Sequence, residues 1–256
     1  MSFTLTVLTC EAGRTSGYLL HHRGRNILID CGPGVTDILQ RHIPLADLDA
    51  VVLTHSHADH CVDIVGLAYA LRFPNPSDTP LPLFVAPGMT AILADLDDLF
   101  GVTSLEAMRR PIHQSFAVQE LDVADAHGLD LLGDLHLTAA PALHAVPSAA
   151  LRFTDGRTSV AFSSDTGPTT TVPQLADRTD LFVCEATYLQ AGEHELFFHG
   201  HLTAELAGRS AHDAHAQHLV LTHLSAAENA PAASSAAAGS YTGQVSVAAR
   251  GATFRI

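Results

Sequence analysis

The densest chemistry in this sequence is the run His55-Ser56-His57-Ala58-Asp59-His60, three imidazoles and a carboxylate directly after Thr54. It follows Ala50 to Thr54 (AVVLT), a near-continuous apolar run of the length and character of a strand buried on both faces. Side chains alternate along an extended segment, so His55 and His57 project the same way and can chelate one ion. Asp59 and His60, at the turn into a following helix, project to the other side and can hold a second. A solvated loop that happens to be rich in histidine is the bland alternative, and a buried strand delivering HxHxDH argues against it.

A metal site also needs ligands from distant segments, and three stand at the ends of expected strands. His144 follows LTAAPAL, Asp165 follows VAFSS and His223 follows LVLT. Singly, each reads equally well as a polar residue at a sheet edge. Together they complete two sites: His55, His57 and His144 for one ion, Asp59, His60 and His223 for the other, with Asp165 bridging. Imidazole with carboxylate suits Zn2+, with Mn2+ or iron as alternatives.

The elements that must position these groups are legible as short apolar segments between turns. Strands are expected over Phe3 to Leu8, Ser16 to Leu20 and Asn26 to Asp30, a helix over Val35 to Arg41, and the strand Ala50 to Thr54. A helix over Asp63 to Arg72 is stopped by the Pro-rich stretch Phe73 to Pro82, and Leu83 to Ala86 and Gly88 to Phe100 read as strand and helix. Strands follow at Leu135 to Ala140, Ala149 to Phe153, Ser159 to Ser163, Asp180 to Cys184 and His218 to Thr222, with a helix over Thr203 to Ala214. This order suggests sheets inside and helices outside. The segment Ala226 to Ser240 is nearly all Ala, Ser and Pro, either a mobile loop or a poor helix.

With 256 residues, 47% hydrophobic and 16% charged, the chain has material for a large core, and one domain over 1–256 is expected. The net charge of −14 disfavours polyanions and basic membrane attachment. All thirteen basic residues are arginine, which removes Schiff-base catalysis and P-loop phosphate binding. Cys10, Cys31, Cys61 and Cys184 form no short-spaced framework and are expected as free thiols of a cytoplasmic protein. The N-terminus carries no cationic leader pattern, and no apolar stretch is long enough to span a membrane. Histidine is abundant, at seventeen. The pair His21-His22, with His194 and His199, is expected at a wet surface.

In these motifs and their order the sequence resembles the metallo-β-lactamase superfamily over essentially its whole length. HAVPSAALRF around His144, CEATY around Glu185 and GHLTAELA around His201 are similar to its ribonuclease Z branch. The resemblance implies an α/β fold, a four-layer αββα sandwich with a binuclear zinc site at one edge of the sheets. It implies that Asp30, in ILIDCGPG, is a carboxylate orienting a ligand histidine. It makes His201 the proton donor to the leaving alkoxide, held and kept protonated by Glu185, and counts Asp59 with them among the catalytic residues. Secreted β-lactamases resemble the chain less, having a Cys where Asp165 stands, and flavodiiron proteins place a Glu at the position of His57.

The ribonuclease Z branch grips transfer RNA with an arm inserted between the ligands corresponding to His144 and Asp165. Here those residues are 21 positions apart, room for two strands and a turn. With the negative charge, this makes a nucleic acid an unexpected substrate. The stretch TCEAGRTSGYLLHHRGRNILIDCGPGV is similar to small, arm-less bacterial members that hydrolyse cyclic nucleotides. Two Zn2+ ions, two aspartates and a bridging hydroxide leave a local charge of about +1 that attracts a phosphodiester monoanion. The expected function is therefore hydrolysis of a small phosphodiester, foremost 3′,5′-cyclic nucleotides to 5′-monophosphates, by attack of that hydroxide. A ribonuclease Z-like nuclease, another small-ester metallohydrolase and a non-catalytic, structural metal-binding protein are the alternatives. Tyr69 and Phe73 are candidates to stack on a base, with core packing the commoner role of an aromatic at helical spacing, and a homodimer is expected only by analogy with this branch.

Overall fold

The computed structural model describes residues 3–73 and 79–256, so part of the Pro-rich stretch 73–82 lies outside the described residues. The first half runs β1 (Phe3–Glu11), β2 (Thr15–His22), β3 (Arg25–Ile29), α1 (Val35–Leu39), β4 (Ala50–Leu53), α2 (Ala58–Cys61), α3 (Ile64–Arg72), β5 (Leu81–Val85), α4 (Met89–Phe100), α5 (Pro111–Ser115) and β6 (Phe116–Glu120). The second runs β7 (Leu129–Leu132), β8 (Leu135–Pro141), β9 (Ala149–Thr154), β10 (Ser159–Phe162), α6 (Thr171–Leu175), β11 (Leu181–Glu185), α7 (Ala204–Asp213), β12 (His218–Thr222), α8 (Ala230–Ala238) and β13 (Gln244–Val247). The last strand, β14 (Thr253–Arg255), returns to the first half and pairs with β1.

Two seven-stranded mixed sheets result, ordered β14-β1-β2-β3-β4-β5-β6 and β13-β12-β11-β10-β9-β8-β7. They pack face to face with helices outside both, the αββα sandwich. The parity of β11 shows how the layers arise. Leu181 and Val183 point into the core between the sheets, whereas Phe182 and Cys184 point into a second core against α7 and α8. A parallel strand buried on both faces reads as an unbroken apolar run, which is why AVVL, LFVC and LVL were legible as strands. β3, β4 and β5 are parallel to one another, as are β10, β11, β12 and β13. Their carboxyl ends are where ligands bind in open α/β sheets.

The Ala-rich segment is a helix in its centre. Ala233 and Ala237 of α8 are fully buried against Ala204, Ala207 and Ala211 of α7, a close approach that only small side chains permit. The interval from His144 to Asp165 holds a loop, β9, a tight turn and β10, the two strands and turn its length allowed. Several elements lay outside the sequence reading: β6, β7, β13 and β14 have exposed or half-buried faces and no continuous apolar run. The expectation of a wet His22 is corrected. β2 extends to His22, whose ring lies 4.6 Å from that of Phe3, with Nε2 3.3 Å from Asp134 Oδ1 of the opposite sheet, leaving it 1% exposed. Among the described residues no helix is long and apolar enough to cross a membrane, and the four cysteines are buried free thiols.

Phe153 on β9 is fully buried between the sheets and meets Phe162 edge-on. Replacing it by alanine is expected to cost about 3–5 kcal/mol, read as a lower midpoint in denaturant unfolding.

Candidate metal centre

The metal-ligand candidates and the Glu185–His201 pair singled out by the sequence come to one edge of the sandwich. Asp30 follows β3, Thr54 and the histidine run follow β4, Asp165 follows β10, Glu185 ends β11 and His223 follows β12. His144 stands in the loop between β8 and β9. The chain turns sharply at three of these ends: Asp30, Ser164 and His223 take φ of 57°, 55° and 56°, left-handed conformations that cost non-glycine residues of order 1–3 kcal/mol each. Such strain persists only where the surroundings over-determine it. Gly32 belongs to the same constraint, because a Cβ there would lie 1.9 Å from the carbonyl oxygen of Asp59. That approach lets the Cys31 N–H donate to the His60 carbonyl at 2.7 Å and locks the β3 loop onto α2.

The ligand atoms fall into two groups that share a centre. One atom each from His55, His57, His144 and Asp165 lies within 4.8 Å of the others, and the same holds for Asp59, His60 and His223. Asp165 Oδ2 lies between the groups, 3.6 Å from His55 Nε2, 3.4 Å from His60 Nε2, 3.5 Å from His223 Nε2 and 3.9 Å from His144 Nε2. Asp59 Oδ2 is 3.5 Å from His223 Nε2 and 3.7 Å from His60 Nε2, and it accepts a hydrogen bond from Gly13 N at 2.9 Å.

The outward nitrogen of four of these imidazoles has its own partner, and the partners fix which nitrogen is free. His60 Nδ1 donates to Asp30 Oδ2 at 2.7 Å and His144 Nδ1 to the Gly200 carbonyl at 2.9 Å. Thr54 Oγ1 and Thr187 Oγ1 donate to Asp30 and Glu185, so they accept from His55 Nδ1 at 3.2 Å and His223 Nδ1 at 3.0 Å. All four Nε2 atoms therefore face inward, and His57 presents Nδ1, 3.0 Å from His144 Nε2. The inward His55 Nε2 is buried with no hydrogen-bond partner among the described residues. A buried orphan lone pair among converging imidazoles and carboxylates is what a divalent cation satisfies, so these residues fit the metal pair that the sequence resemblance implied.

Burial holds His55, His57 and His144 below the ordinary imidazole range, keeping them neutral as ligands must be. His60 behaves oppositely: burial opposes its charge, but Asp165 and Asp30 raise its pKa well above normal. Burial alone would keep Asp165 protonated, yet His223, His60 and His55 drive it well below the carboxylate range. A bound cation would have to displace the proton that His60 shares with these carboxylates, so metal affinity would fall as pH falls.

Beside the cluster stands a second pair. His201 Nδ1 donates to Glu185 Oε1 at 2.8 Å and lies 4.0 Å from Asp165 Oδ2. Glu185 is 1% exposed and also accepts from the backbone N–H groups of Thr166, Thr187 and Leu202. Burial works against protonation of His201, but the hydrogen bond and charge of Glu185 outweigh it and the pKa is raised. The sequence did not assign roles to Thr54 and Thr187, although each stands at a strand end within one of the quoted motifs. Tyr69 and Phe73 line a separate apolar depression with Val102, Leu105 and Met108, away from the ligands. None of the metal-ligand candidates lines that depression. His194 and His199 are exposed on a π-helical turn, as expected.

The β-lactamase superfamily domain model matches residues 25–224. The chain is 28% identical over 229 residues to the "Probable metallo-hydrolase YhfI" of Bacillus subtilis, covering 86% of each chain. The crystal structure of that metallo-β-lactamase fold protein superposes with a TM-score of 0.83 at 25% identity, covering the whole of both chains. A ribonuclease Z of Bacillus licheniformis is 27% identical over 248 residues, covering 81% of this chain and 80% of its own. The short form of human tRNase Z shares the fold, with a TM-score of 0.76, 20% identity and 99% of each chain covered. From the matched domain, these relatives and the converging His and Asp side chains together, the chain belongs to the metallo-β-lactamase superfamily, as a metallo-hydrolase of its ribonuclease Z-like branch.

Proposed function

We propose that this metallo-hydrolase is a binuclear phosphodiesterase acting on small phosphodiesters, foremost 3′,5′-cyclic nucleotides, which it opens to nucleoside 5′-monophosphates. The observation that carries the reading is the Glu185–His201 pair: Nδ1, the nitrogen bonded to Glu185, lies 4.0 Å from Asp165 Oδ2, so the ring stands beside the cluster with Nε2 left over as a proton donor. A closed structural metal site has no use for such a donor. In this reading His55, His57, His144 and Asp165 hold one cation and Asp59, His60, His223 and Asp165 the other. When bound, two Zn2+ ions, or Mn2+ or iron, supply a water of lowered pKa for attack on phosphorus and neutralise the non-bridging oxygens.

The chain's own residues do the rest. Asp30, Thr54 and Thr187 hold three ligand imidazoles by their outward nitrogens. Glu185 fixes the His201 tautomer and keeps the ring protonated, leaving Nε2–H to be given to the departing alkoxide. The absence of an insertion between β9 and β10, where only a tight turn stands, supports a small substrate. RNA is the second reading, favoured by the ribonuclease Z relative that covers most of the chain. Net charge alone does not exclude it.

His57→Ala or Asp165→Ala is expected to lose bound metal, measured by elemental analysis, together with turnover of bis-p-nitrophenyl phosphate. His201→Ala keeps the metal and lowers kcat roughly a hundred- to ten-thousand-fold. Loss of metal in that variant would remove His201 from the donor role. Because the His201 pKa is raised, its proton is in place at neutral pH and turnover declines as pH rises through that value. Glu185→Gln moves the decline to lower pH, and a pH–rate profile checks it. Cyclic AMP is expected to be cleaved faster than a transfer-RNA precursor, and the opposite ranking supports the RNA reading. A metal-loaded protein that turns over no diester is a binding protein instead.

A further inference from the structure

The turn between β1 and β2 touches the metal centre through Gly13 N on Asp59, and the last residues of β1, just before it, line a separate cavity. That cavity, of about 210 Å³, shares His223 with the metal centre as a wall. Its opposite walls are Ala227 and Ala230, from the Ala-rich segment whose purpose the sequence left open, and Cys10 and Glu11 at the end of β1. The β1 end is held there by the Glu11–Leu224 bridge and by Ala12 N donating to the Leu224 carbonyl at 3.3 Å. Two features mark the cavity as more than a packing gap. Glu11 Oε2 is buried without a hydrogen-bond partner among the described residues, and Arg250 lines the same cavity with Nη2 3.7 Å from Glu11 Oε1. A buried acceptor without a donor costs free energy that a ligand N–H recovers.

We infer that this cavity is the base subsite of the enzyme and takes a purine, with Glu11 accepting a base N–H and Arg250 donating to a neighbouring ring nitrogen or carbonyl. The inference rests on the phosphodiesterase reading above and adds to it which part of the substrate is recognised, and where. The cavity is smaller than the roughly 300–1,000 Å³ of pockets that enclose whole drug-sized ligands. It suits one flat ring system, with the phosphate left outside at the metals. Ala227, Ala230, Val247, Ala248 and Ala249 give it largely apolar walls, and a purine edge offers a donor beside an acceptor to match the carboxylate and guanidinium. His223 shares both sites, so a nucleotide with its phosphate on the metal side has its base directed along that common wall.

The test compares wild type with Ala230→Leu, which fills the cavity, and Glu11→Gln, which replaces the carboxylate with little change of shape. Two quantities are read. The first is the ratio of kcat/KM for cyclic AMP and cyclic GMP to that for methyl p-nitrophenyl phosphate, which has no base. The second is the Kd for AMP and GMP by titration calorimetry, which needs no turnover. Both variants are expected to lower the ratio and weaken nucleotide binding roughly tenfold or more. An unchanged ratio with unchanged Kd overturns the subsite, and so does a wild type that cleaves cyclic UMP as well as the purine nucleotides. If wild type hydrolyses no diester, the phosphodiesterase reading fails by itself, and the AMP titration still decides the cavity. Weakened binding in the variants supports it and unchanged binding overturns it.

Discussion

The arrangement turns on one buried carboxylate. Asp165 is 3% exposed, and its Oδ2 has five imidazole nitrogens within 4.0 Å. Four of these are inward-facing Nε2 atoms, and lone pairs crowded at such distances repel unless a proton or a cation stands among them. In the protein alone, protons shared by His60 with Asp165 and Asp30 fill that part, which is why the His60 pKa rises while burial lowers that of His55. Two divalent ions would do the same with more charge. The rest of the fold holds this electrostatically unfavourable convergence in place.

It is held by hydrogen bonds from behind and by backbone strain from below. Asp30 and Glu185 occupy equivalent places at the ends of strands in the two sheets. Each is buried, each takes several donors, and each works through a threonine hydroxyl onto a candidate ligand histidine. Asp30 thereby orients His60 and, through Thr54, His55. Glu185 orients His201 and, through Thr187, His223. The left-handed turns at Asp30, Ser164 and His223 are tolerated because the adjoining strands are packed on both faces and cannot relax away from them. Two rigid layers meeting edge to edge give a site placed on strand ends rather than on loose loops.

The same geometry separates two uses of histidine. The candidate ligands that turn Nε2 inward have partners behind them, whereas His201 gives Nδ1 to Glu185 and, in the proposed reading, retains Nε2 for a substrate. Burial of the Glu185 carboxylate makes this division effective, since a charge in a dry environment acts strongly on the one proton near it. Beyond the metals the chain offers alanine walls and one carboxylate–guanidinium pair, a recognition surface of a different character from the polar centre.

What the sequence determined by itself was local: which residues are candidate ligands, in what order, and which strands are buried on both faces. The run from Thr54 to His60, with Asp165 and His223 at the ends of apolar runs, was readable because a doubly buried strand must be apolar until it reaches the edge. Edge and half-exposed strands such as β6, β7, β13 and β14 carry no such signature, because neighbours and not composition make them strands. His22 looked like surface polarity because nothing local says that Asp134 and Phe3 will enclose it. The Ala-rich segment became a helix only where α7 offered a face of small residues. Tertiary structure alone decided which nitrogen each histidine turns inward and which carboxylate stands behind it. It also placed Glu11 beside Ala230 across more than two hundred residues of chain. Those are consequences of how two sheets meet, and that meeting is set by long-range packing that no local pattern encodes.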